Sequence, residues 1–355
     1  AVSRDGGATF EAPVRIKPEH GIIRTIASNR PRIVGAANGT WHVLYTAIDD
    51  HPTLGKPALT THYTRSPDGR VFEPPRRLPA LTDADMTGRI HGGYMSAATF
   101  GTLAVAANGA VSVFWIDSRD MGADTDARAL YVRTSRDDGA NFDAERELIP
   151  TDVCPCCQMM AGAGGDEVLL SVRMVMPDGA RPSMLMRIAA DGTIIQPPVD
   201  TGGARWELDG CPQKATAVVQ HGPDVFAAVY NGAGEPPGVY LSRSTDRGRS
   251  FAPAAAVHPE AQVSDAPSLA VNGRFVLAAW HGKTDGPRRV FTRMYDLDGR
   301  PAGPVTALTD GPDNAQMPVV AARPDGGFHV AWLQAGRIFA AALPADRGAV
   351  SLGAR

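Results

Sequence analysis

The sequence predicts one all-β domain spanning residues 1–355, a six-bladed β-propeller of four-stranded antiparallel blades. Three observations predict it. A Ser-x-Asp-x-Gly turn returns along the chain, an aromatic-rich strand precedes each turn after the first, and a small-residue strand closed by a Gly turn lies ahead of the aromatic strand.

The turn sets the phase of the repeat. Three stretches carry it in full: Ser3-Arg4-Asp5-Gly6-Gly7-Ala8-Thr9-Phe10, Ser135-Arg136-Asp137-Asp138-Gly139-Ala140-Asn141-Phe142 and Ser244-Thr245-Asp246-Arg247-Gly248-Arg249-Ser250-Phe251. A fourth, Ser66-Pro67-Asp68-Gly69-Arg70-Val71-Phe72, is one residue short, and Asp191-Gly192 and Asp298-Gly299 keep only the Asp-Gly pair. Ser and Asp side chains bond backbone two residues on, and Gly supplies positive φ, so each stretch is a tight hairpin turn. The aromatic at its end is placed to fold under the turn. The even recurrence of the Asp at 5, 68, 137, 191, 246 and 298 is not what scattered Asp-Gly turns give.

The aromatic strands follow the same phase. They are Trp41–Tyr45, Val113–Ile116, Val168–Val172, Val225–Tyr230 and Phe275–Trp280, with a sixth, Phe328–Trp332, beyond the last turn. Small-residue strands precede them, as in Ile33-Val34-Gly35-Ala36-Ala37-Asn38-Gly39, Leu103-Ala104-Val105-Ala106-Ala107-Asn108-Gly109 and Leu269-Ala270-Val271-Asn272-Gly273. Small side chains suit the crowded centre of a ring, where inner strands converge. No stretch has a helical period. The first turn arrives with almost no strand before it, and the last unit ends in Arg337–Leu343. The N-terminal strand at Pro13-Val14-Arg15-Ile16 is therefore expected to complete the last blade and close the ring. The rival closing segment is the weak turn Asp346-Arg347-Gly348 with the tail Ala349–Leu352.

Composition narrows the function classes. A hydrophobic share of 43% with 21% charged residues excludes a disordered chain, and 38 Gly with 29 Pro fits frequent turns. The net charge of −3 supplies no field for nucleic acid or an anionic membrane surface. No run reaches the roughly 18 apolar residues of a membrane helix. The start at Ala1, not Met, is read as the mark of a removed export signal or a trimmed chain, so a periplasmic or secreted monomer is expected.

A Ser-x-Asp-x-Gly-x-x-aromatic turn repeated about once per blade resembles the Asp-box (BNR) repeat of sialidases and their relatives, across essentially the whole chain. The resemblance implies that active residues sit on the face opposite the boxes: three arginines on a substrate carboxylate, an Asp acid/base, and a Tyr nucleophile assisted by a Glu. Pro31-Arg32-Ile33-Val34 looks like the family's Arg-Ile-Pro segment, which makes Arg32 the counterpart of the first arginine. The chain then departs from the pattern. Ala47-Ile48-Asp49-Asp50 stands where the second arginine belongs, and the last tyrosine, Tyr295, falls beside a box on the wrong face. Glu207 stands near where a Glu is wanted but has no Tyr to activate. The resemblance therefore implies the fold and disfavours standard sialidase chemistry. A glycoside hydrolase would need carboxylates such as Asp49, Glu207 or Asp265 instead.

All four cysteines lie in two segments, Asp152-Val153-Cys154-Pro155-Cys156-Cys157-Gln158-Met159-Met160 and Trp206-Glu207-Leu208-Asp209-Gly210-Cys211-Pro212-Gln213. Both enter the first strands of consecutive blades, so the fold brings Cys211 toward the other three on the box-distal face. Three readings remain open: two disulfides, a soft-metal thiolate site, and free or redox thiols. Two disulfides fit an exported protein, with Cys154–Cys157 and Cys156–Cys211 the least strained pairing. A thiolate site for a soft metal, Cu(I) or Zn(II), fits as well, with Met159, Met160, His91, Met95 and Met317 as further donors near the same loops.

Arg32, Gln158, Gln213, Lys214, Asp265 and Gln316 also enter first strands and would ring the channel mouth. Amides with one Asp and one Arg suit a polar small molecule, glycans among them. The loop from Asp117 to Asp126 should reach the same face and reads as a solvated acidic loop. No His-Glu-x-x-His, phosphate loop or Gly-x-Ser-x-Gly elbow is present.

Overall fold

The computed structural model describes residues 1–18, 21–26, 29–50, 57–81, 90–91, 94–96, 98–119, 127–210 and 212–345, with the backbone alone at 90–96. It is all-β, of the six-bladed propeller class, with no helix among the described residues. The first sheet is built on Arg32–Gly35, Trp41–Asp49, Ala58–Ser66 and Arg76–Arg77, with short strands added at Ile22–Ile23, Ile90–His91 and Tyr94–Ser96. Four regular four-stranded sheets follow. They begin at Ala98–Val105, Met160–Ala163, Thr216–His221 and Val263–Val271. The sixth has three strands among the described residues: Ala315–Ala322, Phe328–Gln334 and Arg337–Leu343.

The chain forms two compact units. One comprises Ala1–Arg181, Met186–Pro198 and Leu208–Gln213; the other comprises Pro182–Leu185, Val199–Glu207 and Lys214–Arg355.

The expected turns form by the expected chemistry. In the second sheet Ser135 Oγ donates to Asp137 Oδ1 at 2.8 Å, and the Gly139 and Asn141 amides donate back to Ser135 Oγ and Asp137 Oδ1 at 2.9 and 2.8 Å. The same cage recurs at Ser244, Asp246 and Gly248. These bonds hold the Asp137 carboxylate down at about 2, the Asn141 backbone and side chain contributing most. Phe142 folds under its turn and meets Tyr63 edge to face, centroids 5.0 Å apart.

The aromatic strands are the buried centres of their blades. Every residue of Val111–Asp117 is buried, and Trp115, Phe114, Phe226, Trp280 and Phe328 are fully enclosed. Burying one such side chain stabilises by about 1.5–3 kcal/mol, so these strands carry much of the hydrophobic drive. Small residues matter where inner strands approach a neighbour. A Cβ on Gly101 would stand 2.7 Å from Leu44 Cδ2 and 3.0 Å from Thr61 Cγ2.

The expected ring closure by Pro13-Val14-Arg15-Ile16 is corrected: these residues form no strand and Val14 is exposed. Local competition explains this. The Ser3–Phe10 turn cages itself through Ser3 and Asp5. Glu11 pairs with Arg4 and with Arg70 of the first sheet at 2.8 and 2.7 Å, and Ile16 packs on the Val43, Tyr45 and Ala47 face. Pro13 and Pro18 withhold two of the donors a ladder needs. The rival segment at Asp346–Leu352 lies outside the described residues.

Candidate functional site

The cysteine turn leaves the strand Arg146–Val153 and enters Met160–Ala163. Its neighbour Val168–Arg173 anchors it, the Cys154 amide donating to the Arg173 carbonyl at 2.9 Å and the Val175 amide to Asp152 at 2.7 Å. Pro155 presets the turn, and the sulfurs of Cys154, Cys156 and Cys157 all lie within 4.8 Å of one another. Cys154 and Cys157 are 1% and 2% exposed, and Cys156 is half-buried.

The expected Cys154–Cys157 disulfide is corrected. Both are free thiols with sulfurs 3.3 Å apart, well beyond the roughly 2.05 Å of a bond. Cys154 donates its S–H to Cys157, and that bond, with burial, pushes the Cys154 thiol far above its ordinary range. A metal ion replacing the shared proton would reverse this, since a bound thiolate needs no proton. Cys211 and the side chains of His91 and Met95 lie outside the described residues. Met159, expected as a further donor, is fully buried in a core cluster with Phe114, Val153 and Leu170, so packing accounts for it.

Two arginines of the first sheet's entry segment clasp the residues just after Cys157. Arg32 Nη2 donates to the Met159 carbonyl at 2.7 Å, and Arg30 Nη2 donates to Gln158 Oε1 at 2.9 Å. Arg32 thus binds a loop carbonyl. Its burial and the neighbouring Arg30 charge pull its pKa down to about 9. Gln158 is 3% exposed. The Arg32 Nε and Gln158 Nε2 atoms are buried without a hydrogen-bond partner.

The carboxylates are held in different ways. Asp49 is 2% exposed, its Oδ2 3.4 Å from Arg77, 3.5 Å from His62 and 3.4 Å from the Thr60 hydroxyl. Glu207 is exposed and pairs with Arg205 at 3.0 Å. Asp265 accepts from Lys214 Nζ at 2.5 Å and from the Ala266 amide at 2.7 Å. Lys214 also lies 4.3 Å over the Tyr230 ring, against which Trp206 packs at 5.5 Å. Asp117 is not solvated as the acidic-loop reading expects: it is fully buried, bonded to Trp115 Nε1 and Arg119. Residues 120–126 of that loop are outside the described ones.

A shared backbone device presents some of these groups. The inner strands bulge between Thr99 and Thr102, Asp265 and Ser268, and Gln316 and Val319, with Phe100, Ala266 and Met317 at φ near +50°. Bulges re-aim side chains and concentrate near functional sites. Gln213 is exposed with φ 53°.

Within the first unit Arg32, Gln158 and the cysteine turn come together; within the second, Asp265 meets Lys214. Sequence reasoning missed Arg30, Trp206 and Tyr230. For Arg30 there was a signal: in Asn29-Arg30-Pro31-Arg32 the proline favours an extended chain, which puts both arginines on one side.

No family profile and no curated protein sequence matches the chain. Solved structures do, by fold. An intramolecular trans-sialidase from Ruminococcus gnavus superposes with a TM-score of 0.55 at 10% identity, covering 88% of this chain and 93% of that one. An ulvan lyase, a polysaccharide lyase, gives 0.55 at 14% identity with 90% and 79% covered. The NanB sialidase from Streptococcus pneumoniae gives 0.54 at 8% identity with 94% and 70% covered. The fold is that of a sialidase-like propeller.

Proposed function

We propose that this chain is an exported, monomeric, single-domain propeller of the sialidase-like fold that binds rather than hydrolyses, and that its cysteine turn holds a soft metal ion. One observation carries the reading: three sulfurs within 4.8 Å, two of them buried free thiols on an anchored turn. The two free thiols suit Cu(I), which accepts two or three thiolates, better than Zn(II), whose structural sites take four ligands. Cys156 is assigned to a disulfide with Cys211, which leaves Cys154 and Cys157 as the primary ligands. Arg32, Gln158 and Gln213 of the first unit are proposed as ligand-binding residues for a polar small molecule or glycan, and so, within the second unit, are Asp265 and Gln316. Against hydrolysis stand the missing tyrosine and the occupied carboxylates: Asp49 in a buried ion pair, Asp265 on Lys214.

The test is anaerobic Cu(I) loading with metal analysis. One copper per chain is expected in the wild type and none in the Cys154→Ser/Cys157→Ser variant. Copper that the variant retains, or a wild type that takes up none, ends the reading. A fluorogenic sialoside assay accompanies it. Turnover that disappears in Asp265→Asn would establish the glycoside hydrolase alternative.

A further inference from the structure

We propose that Trp206, Tyr230, Lys214 and Asp265 form a subsite for an uncharged pyranose, the indole carrying the C–H face of the sugar and the Lys214–Asp265 pair its adjacent hydroxyls. The subsite deepens, and rests on, the glycan reading given to Asp265; the metal plays no part in it.

All four residues belong to one compact unit, and its backbone sets them in place. Asn231, at the end of the strand Asp224–Asn231, is buried, and its Nδ2 donates to the Ala204 carbonyl at 2.5 Å. That bond ties the Trp206 segment to the strand. Gly232 seats the indole, because a Cβ there would stand 2.5 Å from Trp206 Cε2 and Cζ2. Trp206 and Tyr230 meet with centroids 5.5 Å apart and planes tilted by 54°, and both are half-buried, packed on one side and reached by solvent on another. Asp265 comes from the strand Val263–Val271, at the start of its bulge, where Ala266 holds φ at 51°. A left-handed alanine is a strained residue, and such residues gather at binding sites. Here the strained residue fixes the carboxylate: the Ala266 amide donates to Oδ1 at 2.7 Å, leaving Oδ2 for Lys214 at 2.5 Å.

The ion pair keeps bonding capacity for a ligand. An ammonium has three hydrogens; Asp265 takes one, and the Tyr230 ring, 4.3 Å away, engages another. The third remains. Asp265 likewise keeps acceptor positions, since its donors among the described residues are Lys214 and the Ala266 amide. The two side chains are 24% and 20% exposed, within reach of a ligand from solvent.

Three features fix the ligand class. A charged donor and a charged acceptor side by side match two adjacent hydroxyls, each of which both donates and accepts. The pair is neutral as a unit, so an ionic ligand would have to part it and strand one charge, whereas an uncharged ligand bridges it intact. The indole face is apolar and carries negative quadrupole charge, which complements the polarised C–H bonds on a pyranose face. A neutral sugar meets all three conditions, and a sugar acid fails the second.

Methyl β-D-glucopyranoside and methyl β-D-galactopyranoside are the probes, with N-acetylneuraminic acid as the acidic comparison, titrated by saturation-transfer NMR. At least one glycoside should bind saturably, with the strongest transfer to its ring C–H protons. Trp206→Ala should weaken that binding about tenfold or more and Trp206→Phe less. Lys214→Met/Asp265→Leu, which removes the pair without stranding a charge, should weaken it about tenfold. Circular dichroism checks that each variant is folded, and Trp206→Phe carries the test if Trp206→Ala does not fold. A glycoside affinity left unchanged by the tryptophan variant or by the double variant overturns the subsite. Binding of N-acetylneuraminic acid alone overturns it too, while leaving the glycan reading standing. A protein that binds none of the three sugars ends the subsite and the glycan reading together.

Discussion

Arg76 donates from Nη1 to the Ala140 carbonyl at 2.8 Å, joining the outer strand of the first sheet to the Ser135–Phe142 turn of the second. It bonds the Gly139 carbonyl as well, and its guanidinium lies 5.5 Å over Tyr63 and 5.4 Å over Phe142. Arg146 reaches the Asp191 carbonyl in the same way at 2.8 Å, and Arg243 reaches that of Asp298 at 3.3 Å. The recurring turn is thus also a docking point for an arginine. Charge-assisted bonds contribute about 1.5–3 kcal/mol and partly exposed cation–π contacts about 0.5–1. Arg76→Ala is expected to lower the unfolding free energy by about 2–3 kcal/mol in urea melts, with Arg76→Lys recovering only part. Wild-type stability in Arg76→Ala would show that the turn holds without its arginine.

What could be read from the sequence is what short-range chemistry decides. Ser135, Asp137 and Gly139 specify their turn within five residues. The strand Arg337–Leu343 stands where its alternation and flanking turns put it. Contacts between distant residues were not legible in that way. Arg30 and Gln158 meet across 128 positions, and Lys214 and Asp265 across 51. Both depend on how sheets pack, which no local pattern states. Asp49 is an intermediate case. It lies four residues beyond Tyr45 on one strand, so alternation places it on the same buried face, and that signal went unused. Ring closure failed as an expectation because pattern alone does not weigh a strand against the contacts Glu11 and Ile16 make nearby.

Gly139 should be the least replaceable glycine of the turns. Its φ is 78°, and a Cβ there would stand 1.9 Å from the Tyr63 hydroxyl. Gly109 provides the control, with φ 84° and nothing within 4 Å of a Cβ. Gly109→Ala therefore pays only the left-handed backbone, about 1–2 kcal/mol, while Gly139→Ala adds a clash and should exceed about 3. Tyr63→Phe in the Gly139→Ala background should restore part of the loss. Equal destabilisation of the two alanine variants would show that the packing around Gly139 yields freely.

Stability should fall with acid in two separate steps. His42 is enclosed between Tyr63, 2.7 Å from Nδ1, and Asp138, 3.4 Å from Nε2. Burial lowers its pKa by more than Asp138 raises it, with the Arg65 charge adding to the depression. His258 is depressed by burial likewise. A folded pKa below the unfolded value near 6.5 means the unfolded chain takes the proton first, so stability declines as pH falls below about 6.5. The turn aspartates act lower. Asp5 and Asp137 sit at about 2, held there by hydrogen bonds, so their contribution is complete above about 4 and disappears as pH falls toward 2. Urea midpoints should be level between pH about 7 and 8, drop between about 6.5 and 5, and drop again below about 4. His42→Gln should shrink the first drop and leave the second. A midpoint that rises between pH 7 and 5 would contradict the assignment.

Thiol counting separates the two fates assigned to the cysteines. Cys154 and Cys157 are free, so the unreduced protein should release two thiols per chain on denaturation and four after reduction. Cys154→Ser should give one before reduction and three after. In the folded state the pair should alkylate slowly at pH about 8, because the thiolate is the nucleophile and both burial and the Cys154–Cys157 hydrogen bond keep Cys154 protonated. Four thiols before reduction would remove the Cys156–Cys211 disulfide and turn the site into a three- or four-sulfur centre. None would mean that the 3.3 Å pair closes to a disulfide in solution, which leaves no thiolate for a soft metal.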